Sequence, residues 1–363
     1  MQHAKLSPSS SARWLSCTGS VKAEQAFPSS TTSYAAEGTT AHALAELCLT
    51  TNDHPTKYIG QTLEGHIVDE DMAEHIAAYC AYVKSYSGVH LYEHRFSLTK
   101  WIPDSFGTSD AVVIDEANKT AHIIDLKYGK GVSVDAEQNT QAMLYALGVI
   151  DDLGFMYEFD TVVIHIYQPR IKNYSSWQTS TKYLLEWVEW AKQRAKETLQ
   201  DDAPRTPSEK ACQWCKAKAT CKALLDHTHT VVMNDFDDLT SINPDTLTDN
   251  ELRVVMDNAK LIKSWLDAVE AHIFDKLNNG QAFDGYKLVE GRSTRTWQDE
   301  QQAAILLADK VPSDKLFTQK LISPAQAEKL LKNDKELFAS LVTKSAGKPT
   351  LVPSCDKRIA LND

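Results

Sequence analysis

Over the first 200 residues, helical spacing of apolar side chains alternates with short runs of β-branched and aromatic residues. In chain order, the predicted elements are a helix at 36–50, a helix at about 71–86, strands at 91–98, 107–115 and 120–127, a helix at 135–150, a strand at 161–167 and a helix at about 180–199. Strands and helices that alternate in this way predict an α/β fold, with a mixed central sheet flanked by helices.

Beyond about residue 235 the pattern becomes mainly helical. An apolar stripe at helical spacing extends from Leu252 to Ile273. The segments Tyr286–Val289 and Arg292–Trp297 are predicted to pair with each other as a hairpin. We therefore expect two units: a catalytic domain at residues 1–235 and a mainly helical accessory region at residues 236–363.

Composition and charge narrow the class of protein. Hydrophobic residues make up 42% of the chain and charged residues 24%, as in folded globular proteins. A net charge of -11 excludes a protein that coats nucleic acid over its whole surface, but it permits an enzyme that gathers carboxylates around a cation. Because no apolar run is long enough for a membrane span and the N-terminus is polar, we expect a cytoplasmic protein without membrane contact.

Two carboxylates and a lysine stand where neighbouring predicted strands meet. Asp110 lies at the start of one apolar strand, and Asp125 and Lys127 lie at the end of the next. Antiparallel neighbours bring these ends together, and residues two apart on a strand share a face. Asp110 and Asp125 are thus candidate ligands for Mg²⁺ or Mn²⁺, with the carbonyl of Leu126 as a further oxygen ligand. Lys127 is placed to stabilise hydroxide and the charge that grows on a phosphate.

A D-x-K triplet by itself is a weak signal that arises by chance in most proteins, so its neighbours decide its meaning. Gln141 and Tyr145 stand one helical turn apart, where an amide and a phenol can hydrogen-bond phosphates or bases. A solvent-facing glutamine beside a half-buried tyrosine gives the same spacing. Similarly, His42 shares a helix face with Glu46, although a lone histidine is more often structural than a ligand.

In their joint order, these motifs resemble the RecB-like branch of the PD-(D/E)XK nucleases, which includes AddB-type helicase-nucleases and the CRISPR-adaptation exonucleases. The resemblance covers about the first 225 residues, and its motifs are Glu37-Gly38-Thr39-Thr40-Ala41-His42, Gly107-x-x-Asp110, Asp125-x-Lys127 and Gln141-x-x-x-Tyr145. It implies a restriction-endonuclease-like core in which His42 and the two acids bind the metal, Lys127 assists the water, and Gln141 and Tyr145 hold DNA.

Two acids qualify the resemblance. Asp125 stands where many relatives carry Glu, which shortens the ligand by one methylene group. Glu93 lies on the first predicted strand, where relatives often have an acid, and we leave it outside the ligand set as a group that supports the ligands.

Cys212-x-x-Cys215 followed by Cys221 brings three thiols into a short segment, well spaced to wrap one metal centre. Chemistry alone leaves zinc and an iron-sulfur cluster equally suitable for a four-cysteine site. The resemblance implies Cys17 as the fourth ligand and a [4Fe-4S] cluster rather than zinc. Such a cluster would staple the N-terminal segment to the end of the catalytic domain.

The resemblance implies a metal-dependent deoxyribonuclease, and it alone favours an exonuclease, acting in recombination, repair or phage or prophage DNA processing. The chain lacks the G-x-x-x-x-G-K-[ST] motif, so unwinding would come from a helicase or recombination partner protein. Two alternatives stay open: a non-catalytic DNA-binding or assembly module of the same fold, and a zinc-stapled interaction protein. Intact Asp110, Asp125 and Lys127 argue against the first of these.

Overall fold

The computed structural model describes residues 4–27, 33–236, 249–291, 295–312, 335–344 and 349–353, together with residues 316, 323, 324, 327 and 359. The chain divides into two compact units, Met1–Ser264 and Trp265–Asp363. Among the helices in the described ranges, none is both long enough and apolar enough to cross a membrane.

Helices and strands of the first unit follow in chain order. The helices are α1 (Ser11–Ser16), α2 (Ser20–Glu24), α3 (Ser33–Thr51), α4 (Glu70–Lys84), α5 (Thr140–Leu153), α6 (Thr181–Glu197), α7 (Glu209–Cys212), α8 (Lys222–Phe236) and α9 (Asp249–Asn278), the last of which continues into the second unit. The strands are β1 (Thr62–Leu63), β2 (His66–Ile67), β3 (Val89–Ser97), β4 (Phe106–Asp115), β5 (Thr120–Leu126), β6 (Thr161–Gln168) and β7 (Asn173–Ser180).

The first unit is built on a five-stranded sheet with the order β3-β4-β5-β6-β7. Neighbouring strands are antiparallel except β5 and β6, which are parallel and are connected through α5. The three strands predicted at 91–98, 107–115 and 120–127 are therefore confirmed as consecutive antiparallel neighbours. Because β5 and β6 run in the same direction, their carboxyl ends, Leu126 and Gln168, lie at the same edge of the sheet.

Apolar residues cover both faces of this sheet, which explains its two helical layers. On one face Val112 and Ile123 are buried in a cluster that includes residues of α1, α5 and α6. On the other face Val113 and Ile124 are buried with residues of α3 and α4. Strands buried on both faces have nearly continuous apolar sequences, as in β4 and β5. The predicted mixed α/β architecture is confirmed at this level.

One helix boundary and one whole strand differ from the prediction. The helix predicted from residue 135 begins at Thr140, because the Asn139 side chain accepts a hydrogen bond from the Ala142 N–H at 3.1 Å and caps it. Strand β7 was not predicted, since its sequence is mostly polar. As the last strand of the sheet it alternates between half-buried and exposed residues, so it lacks the apolar run of the inner strands.

The second unit contains β8 (Tyr286–Glu290), β9 (Arg295–Trp297), α10 (Glu300–Ala308), a helix Lys335–Leu341, β10 (Val342–Lys344) and β11 (Pro349–Pro353). The predicted hairpin is wrong, because β8 pairs with β11 and β9 pairs with β10, both antiparallel. Strand spacing alone does not choose between a near and a distant partner. Arg292, which was predicted to begin the second strand of the hairpin, lies outside the described residues.

A partly buried chain of aromatic side chains connects α4 to the middle of the sheet. The Tyr82 hydroxyl lies 2.9 Å from His165 Nδ1, and His165 Nε2 lies 3.1 Å from His122 Nδ1. Burial, with His122 beside it, lowers the pKa of His165 to about 4, and burial also lowers the pKa of His122. The folded protein therefore binds these protons less readily than the unfolded chain.

This cluster predicts a loss of stability in mild acid. A histidine whose pKa is lowered on folding stabilises the protein fully above about pH 6.5, and that contribution falls as the pH drops toward 4. At pH 5 we expect His165 to account for roughly 2 kcal/mol of lost unfolding free energy relative to pH 7. Chemical denaturation at both pH values should show a smaller difference in His165→Gln, while the exposed control His54→Gln should match the wild type. Equal pH dependence in all three proteins would contradict this account.

Candidate functional site

Strands β4 and β5 part at the edge of the sheet where β5 ends, and Asp110 occupies the point of separation. The last residues paired between them are Ala111 and Ile124. Beyond that pair, Asp110 Oδ2 accepts a hydrogen bond from the Leu126 N–H at 2.7 Å. The carboxylate thus takes the place of a backbone acceptor in the ladder, which fixes its position between the two strands.

Two further side chains with metal-binding atoms lie beside the Asp110 carboxylate. His42 from α3, Glu93 from β3 and Asp110 from β4 each offer one such atom, and these atoms lie within 4.8 Å of one another. His42 Nδ1 is 3.1 Å from Asp110 Oδ1. The set combines two carboxylates, which suit Mg²⁺ and Mn²⁺, with one imidazole, a ligand more typical of transition metals.

Glu93 reaches this group through an unusual backbone conformation. Its φ is +44°, in the left-handed region that residues other than glycine rarely adopt. It lies between the paired residues Tyr92↔Ala111 and His94↔Ser109, directly across from Asp110. Such strain costs on the order of 1 kcal/mol and tends to occur at functional sites. Residue type gives no signal of a positive φ, which is why the sequence placed Glu93 outside the ligand set.

A second group of side chains joins the end of β5 to the start of α5. Lys127 Nζ lies 2.8 Å from Asp125 Oδ2 and 3.1 Å from Asp125 Oδ1, but only Oδ1 accepts a hydrogen bond from it. Lys127 also donates to Gln141 Oε1 at 3.1 Å. Gln141 Nε2 in turn lies 3.3 Å from Asp125 Oδ1. The three side chains therefore hold one another, and the buried Asp125 Oδ2 faces the Lys127 ammonium in an ion pair.

Tyr145 supports this group from the side of the helix. Gln141 Nε2 donates to the Tyr145 hydroxyl at 2.9 Å, and the tyrosine, only 7% exposed, packs its ring against Phe96. Gly107 makes room for that ring, because a Cβ there would lie 2.8 Å from Tyr145 Cε1. The spacing Gly107-x-x-Asp110 thus has a packing reason, and Tyr145 contacts the site mainly through Gln141.

Burial and neighbouring charges together raise the pKa values of His42, Glu93 and Asp125. Burial alone would lower the pKa of His42, but the adjacent Asp110 carboxylate outweighs it and raises that pKa to about 9. Burial and the charge of Asp110 raise the pKa of Glu93 to about 7. Burial also raises the pKa of Asp125, despite the Lys127 ammonium beside it. Carboxylates crowded in this way repel one another, which is the electrostatic setting that a divalent cation relieves.

The four cysteines with suitable spacing come from two distant parts of the chain that lie side by side. Cys17 directly follows α1, and the late cysteines lie at and after the end of α7. The Gly19 N–H donates to the Pro204 carbonyl at 2.9 Å, and Arg13 donates to the Trp214 carbonyl at 3.1 Å. These bonds bring the N-terminal segment to the cysteine-rich segment.

The thiols of this group act on one another electrostatically. Burial raises the pKa values of Cys17, Cys212 and Cys215, and in each case another thiol of the group raises the pKa further. Cys221 is among the neighbours that act on Cys17 and Cys212. All four are free thiols. In the described residues no three of their sulfur atoms lie within 4.8 Å of one another. Four thiolates on one zinc ion would lie about 3.8 Å apart, given Zn–S bonds of about 2.3 Å.

Comparison with known proteins places the chain in a family. One similar solved structure is described as "Crystal structure of SSO0001"; the two chains are 11% identical, and the match covers 61% of this chain and 88% of that one with a TM-score of 0.28. A TM-score of that size carries no argument about fold or function. The sequence model of the family described as "Protein of unknown function (DUF2800)" matches residues 3–359. That match spans nearly the whole chain, and the protein therefore belongs to the DUF2800 family, whose function is unknown.

Proposed function

We propose that the protein is a metal-dependent deoxyribonuclease with a PD-(D/E)XK core, centred on Asp110, Asp125 and Lys127. The observation that carries this proposal is the convergence of motifs from four elements at one edge of the sheet. His42 from α3 contacts Asp110 of β4, and Lys127, at the end of β5, contacts both Asp125 and Gln141 of α5. Unrelated chance motifs have no reason to meet in this way.

The side chains at this edge fit a divalent cation. His42, Glu93 and Asp110 present ligand atoms close together, and the buried carboxylate of Asp125 acts electrostatically on both His42 and Glu93. We propose that His42, Asp110 and Asp125, with the Leu126 carbonyl, hold Mg²⁺ or Mn²⁺, and that Glu93 adds to this ligand set. The bound cation would lower the pKa of a water molecule and polarise the phosphate beside it.

The side chains around the metal site then stabilise the charge that develops during hydrolysis and hold the reacting groups in position. Hydrolysis forms a bond from the water oxygen to phosphorus, breaks the P–O ester bond, and leaves a proton on the departing sugar oxygen. The Lys127 ammonium, held in place by Asp125 and Gln141, stabilises the negative charge that grows on the phosphate oxygens. Gln141 fixes the lysine and the aspartate together, and Tyr145 fixes the amide of Gln141.

We further propose that Cys17, Cys212, Cys215 and Cys221 hold a [4Fe-4S] cluster, with zinc as the alternative. The two segments that carry these cysteines are hydrogen-bonded to each other, and Cys221 is close enough to raise the pKa values of Cys17 and Cys212. The proposed role is structural. A centre bound by ligands far apart in the chain adds its binding energy to folding.

The experiment that tests the activity incubates anaerobically purified protein with linear single-stranded, linear double-stranded and closed circular DNA. With Mn²⁺ we expect degradation of linear DNA, and with EDTA we expect none. Loss of linear DNA with intact circles supports an exonuclease, for which a helicase or recombination partner would supply unwinding. DNA binding without cleavage under Mg²⁺ or Mn²⁺ would instead favour the non-catalytic DNA-binding module. Stoichiometric zinc without DNA binding would favour the interaction protein.

A further inference from the structure

The loop that leads from Lys127 toward α5 is held in shape by a buried glutamine. We call residues 129–134 the site loop. Gln168, at the carboxyl end of β6 and only 2% exposed, donates from Nε2 to the carbonyls of Gly129 and Val132 at 3.1 and 2.8 Å. Its Oε1 accepts from the Val134 N–H at 3.2 Å. One side chain therefore fixes three points of the site loop.

A second amide completes this support. Asn173 Nδ2 donates to the Val134 carbonyl at 2.7 Å and to Gln168 Oε1 at 3.1 Å. The carbonyls of Gly129, Val132 and Val134 are thus all directed toward the two amides. The inner side of the site loop has its acceptors satisfied by the protein itself.

The outer side of the site loop consequently presents donors. In a trans peptide the N–H points opposite to the C=O, and the described chain has no cis peptide. Inward carbonyls at Gly129 and Val132 therefore direct the N–H groups of Lys130 and Ser133 outward. Both residues are exposed, and within the described ranges neither N–H donates to another part of the protein. The Lys130 ammonium adds a positive charge on the same exposed segment.

The two glycines of the site loop, Gly129 and Gly131, face open space. A Cβ at Gly129 or Gly131 would meet no atom within 4 Å, so neither glycine is required by a neighbouring side chain. The nearest acid in the following segment, Asp135, is engaged by the Ser175 hydroxyl at 2.7 Å and the Glu137 N–H at 3.2 Å. A surface of amide donors, one ammonium and no side chain at two positions suits an anion.

We propose that the site loop binds the DNA backbone at a phosphate next to the one that is cleaved. Its ligands are the Lys130 ammonium and the N–H groups of Lys130 and Ser133, and Gln168 and Asn173 are positioning residues. The location supports this assignment, because the site loop starts two residues after Lys127 and leads into the helix that carries Gln141. The inference rests on the proposed nuclease function and adds a contact for the substrate strand.

The test compares wild type with Lys130→Ala in DNA binding, measured by fluorescence anisotropy of an end-labelled oligonucleotide in EDTA between about 50 and 200 mM salt. Loss of one phosphate contact should raise Kd about tenfold at the lowest salt and reduce the slope of log Kd against log salt by about 1. Cleavage at limiting DNA should fall in proportion to the loss of affinity. The matched control Lys182→Ala, an exposed lysine on α6, should behave like wild type.

The role of Gln168 is tested by Gln168→Glu, which removes the Nε2 donors at nearly constant volume. We expect weaker DNA binding, and little further loss when Lys130→Ala is added, because the two residues act through the same site loop. Fully additive effects would overturn the positioning role of Gln168. If the wild type binds and cleaves DNA but Lys130→Ala has an unchanged Kd and salt slope, the proposed phosphate contact of the site loop is wrong and the proposed nuclease function stands. A wild type that neither binds nor cleaves DNA would contradict both the proposed nuclease function and the proposed phosphate contact.

Discussion

Replacing Lys127 with alanine should reduce the turnover of DNA cleavage by about 100-fold to 1,000-fold. The reason is that its ammonium, held by Asp125 and Gln141, is the one positive side chain that we place against the growing phosphate charge. Affinity for DNA should fall much less, because the site loop and the rest of the binding surface stay in place. Single-turnover cleavage and anisotropy binding, measured on the same preparations, separate the two effects.

Lys127→Ala also leaves the buried Asp125 without its cation, so some loss of stability is expected. The cleavage assay is therefore run well below the unfolding midpoint of the variant. The matched control is Lys119→Ala, which removes an exposed lysine paired with Glu158 and should retain wild-type turnover. Wild-type turnover in Lys127→Ala would show that the catalytic centre lies elsewhere.

If the proposed cluster is present, replacing Cys17 with serine should remove the iron and destabilise the first unit by several kcal/mol, because the cluster would join distant parts of the chain. We expect about four iron atoms per chain and a brown colour in the anaerobic wild type, and neither in Cys17→Ser. Iron analysis, visible absorbance and thermal unfolding measure the three consequences.

Cys48→Ala is the control for this prediction. Cys48 is fully buried on α3 in the apolar cluster of α3 and α4, so its loss should affect packing but leave the iron content unchanged. Full iron content in Cys17→Ser would contradict the assignment of Cys17 as a ligand. One zinc ion per chain and no iron in the wild type would favour the zinc alternative.

The fold was predictable where a single rule decides the structure. Strands β4 and β5 are buried on both faces, so their apolar runs and the turn between them predicted an antiparallel pair that carries Asp110 and Asp125. β7 was missed because an outer strand with polar residues gives no apolar run. The β8-β11 pairing was missed because local sequence does not specify a partner far along the chain.

The site was predictable only as a set of residue types. The D-x-K spacing indicated that Asp125 and Lys127 share a face, and the structure has them in contact. Three features depend on backbone geometry and were not predicted: the positive φ of Glu93, the hydrogen bond from the Leu126 N–H to Asp110, and the support of the site loop by Gln168. Residue identity does not encode these directly, since each depends on how separate strands meet.

The most direct measurement of the central claim is Mn²⁺-dependent release of nucleotides from linear DNA by wild type and by Asp110→Asn. Asparagine can still accept the hydrogen bond from Leu126, but it removes the charge that faces His42, so the fold should be kept and the metal site weakened. We predict cleavage by the wild type that requires Mn²⁺ or Mg²⁺ and disappears in EDTA, and a loss of about 100-fold or more in Asp110→Asn. Equal cleavage by the two proteins, or no cleavage by the wild type with either metal, would contradict the account.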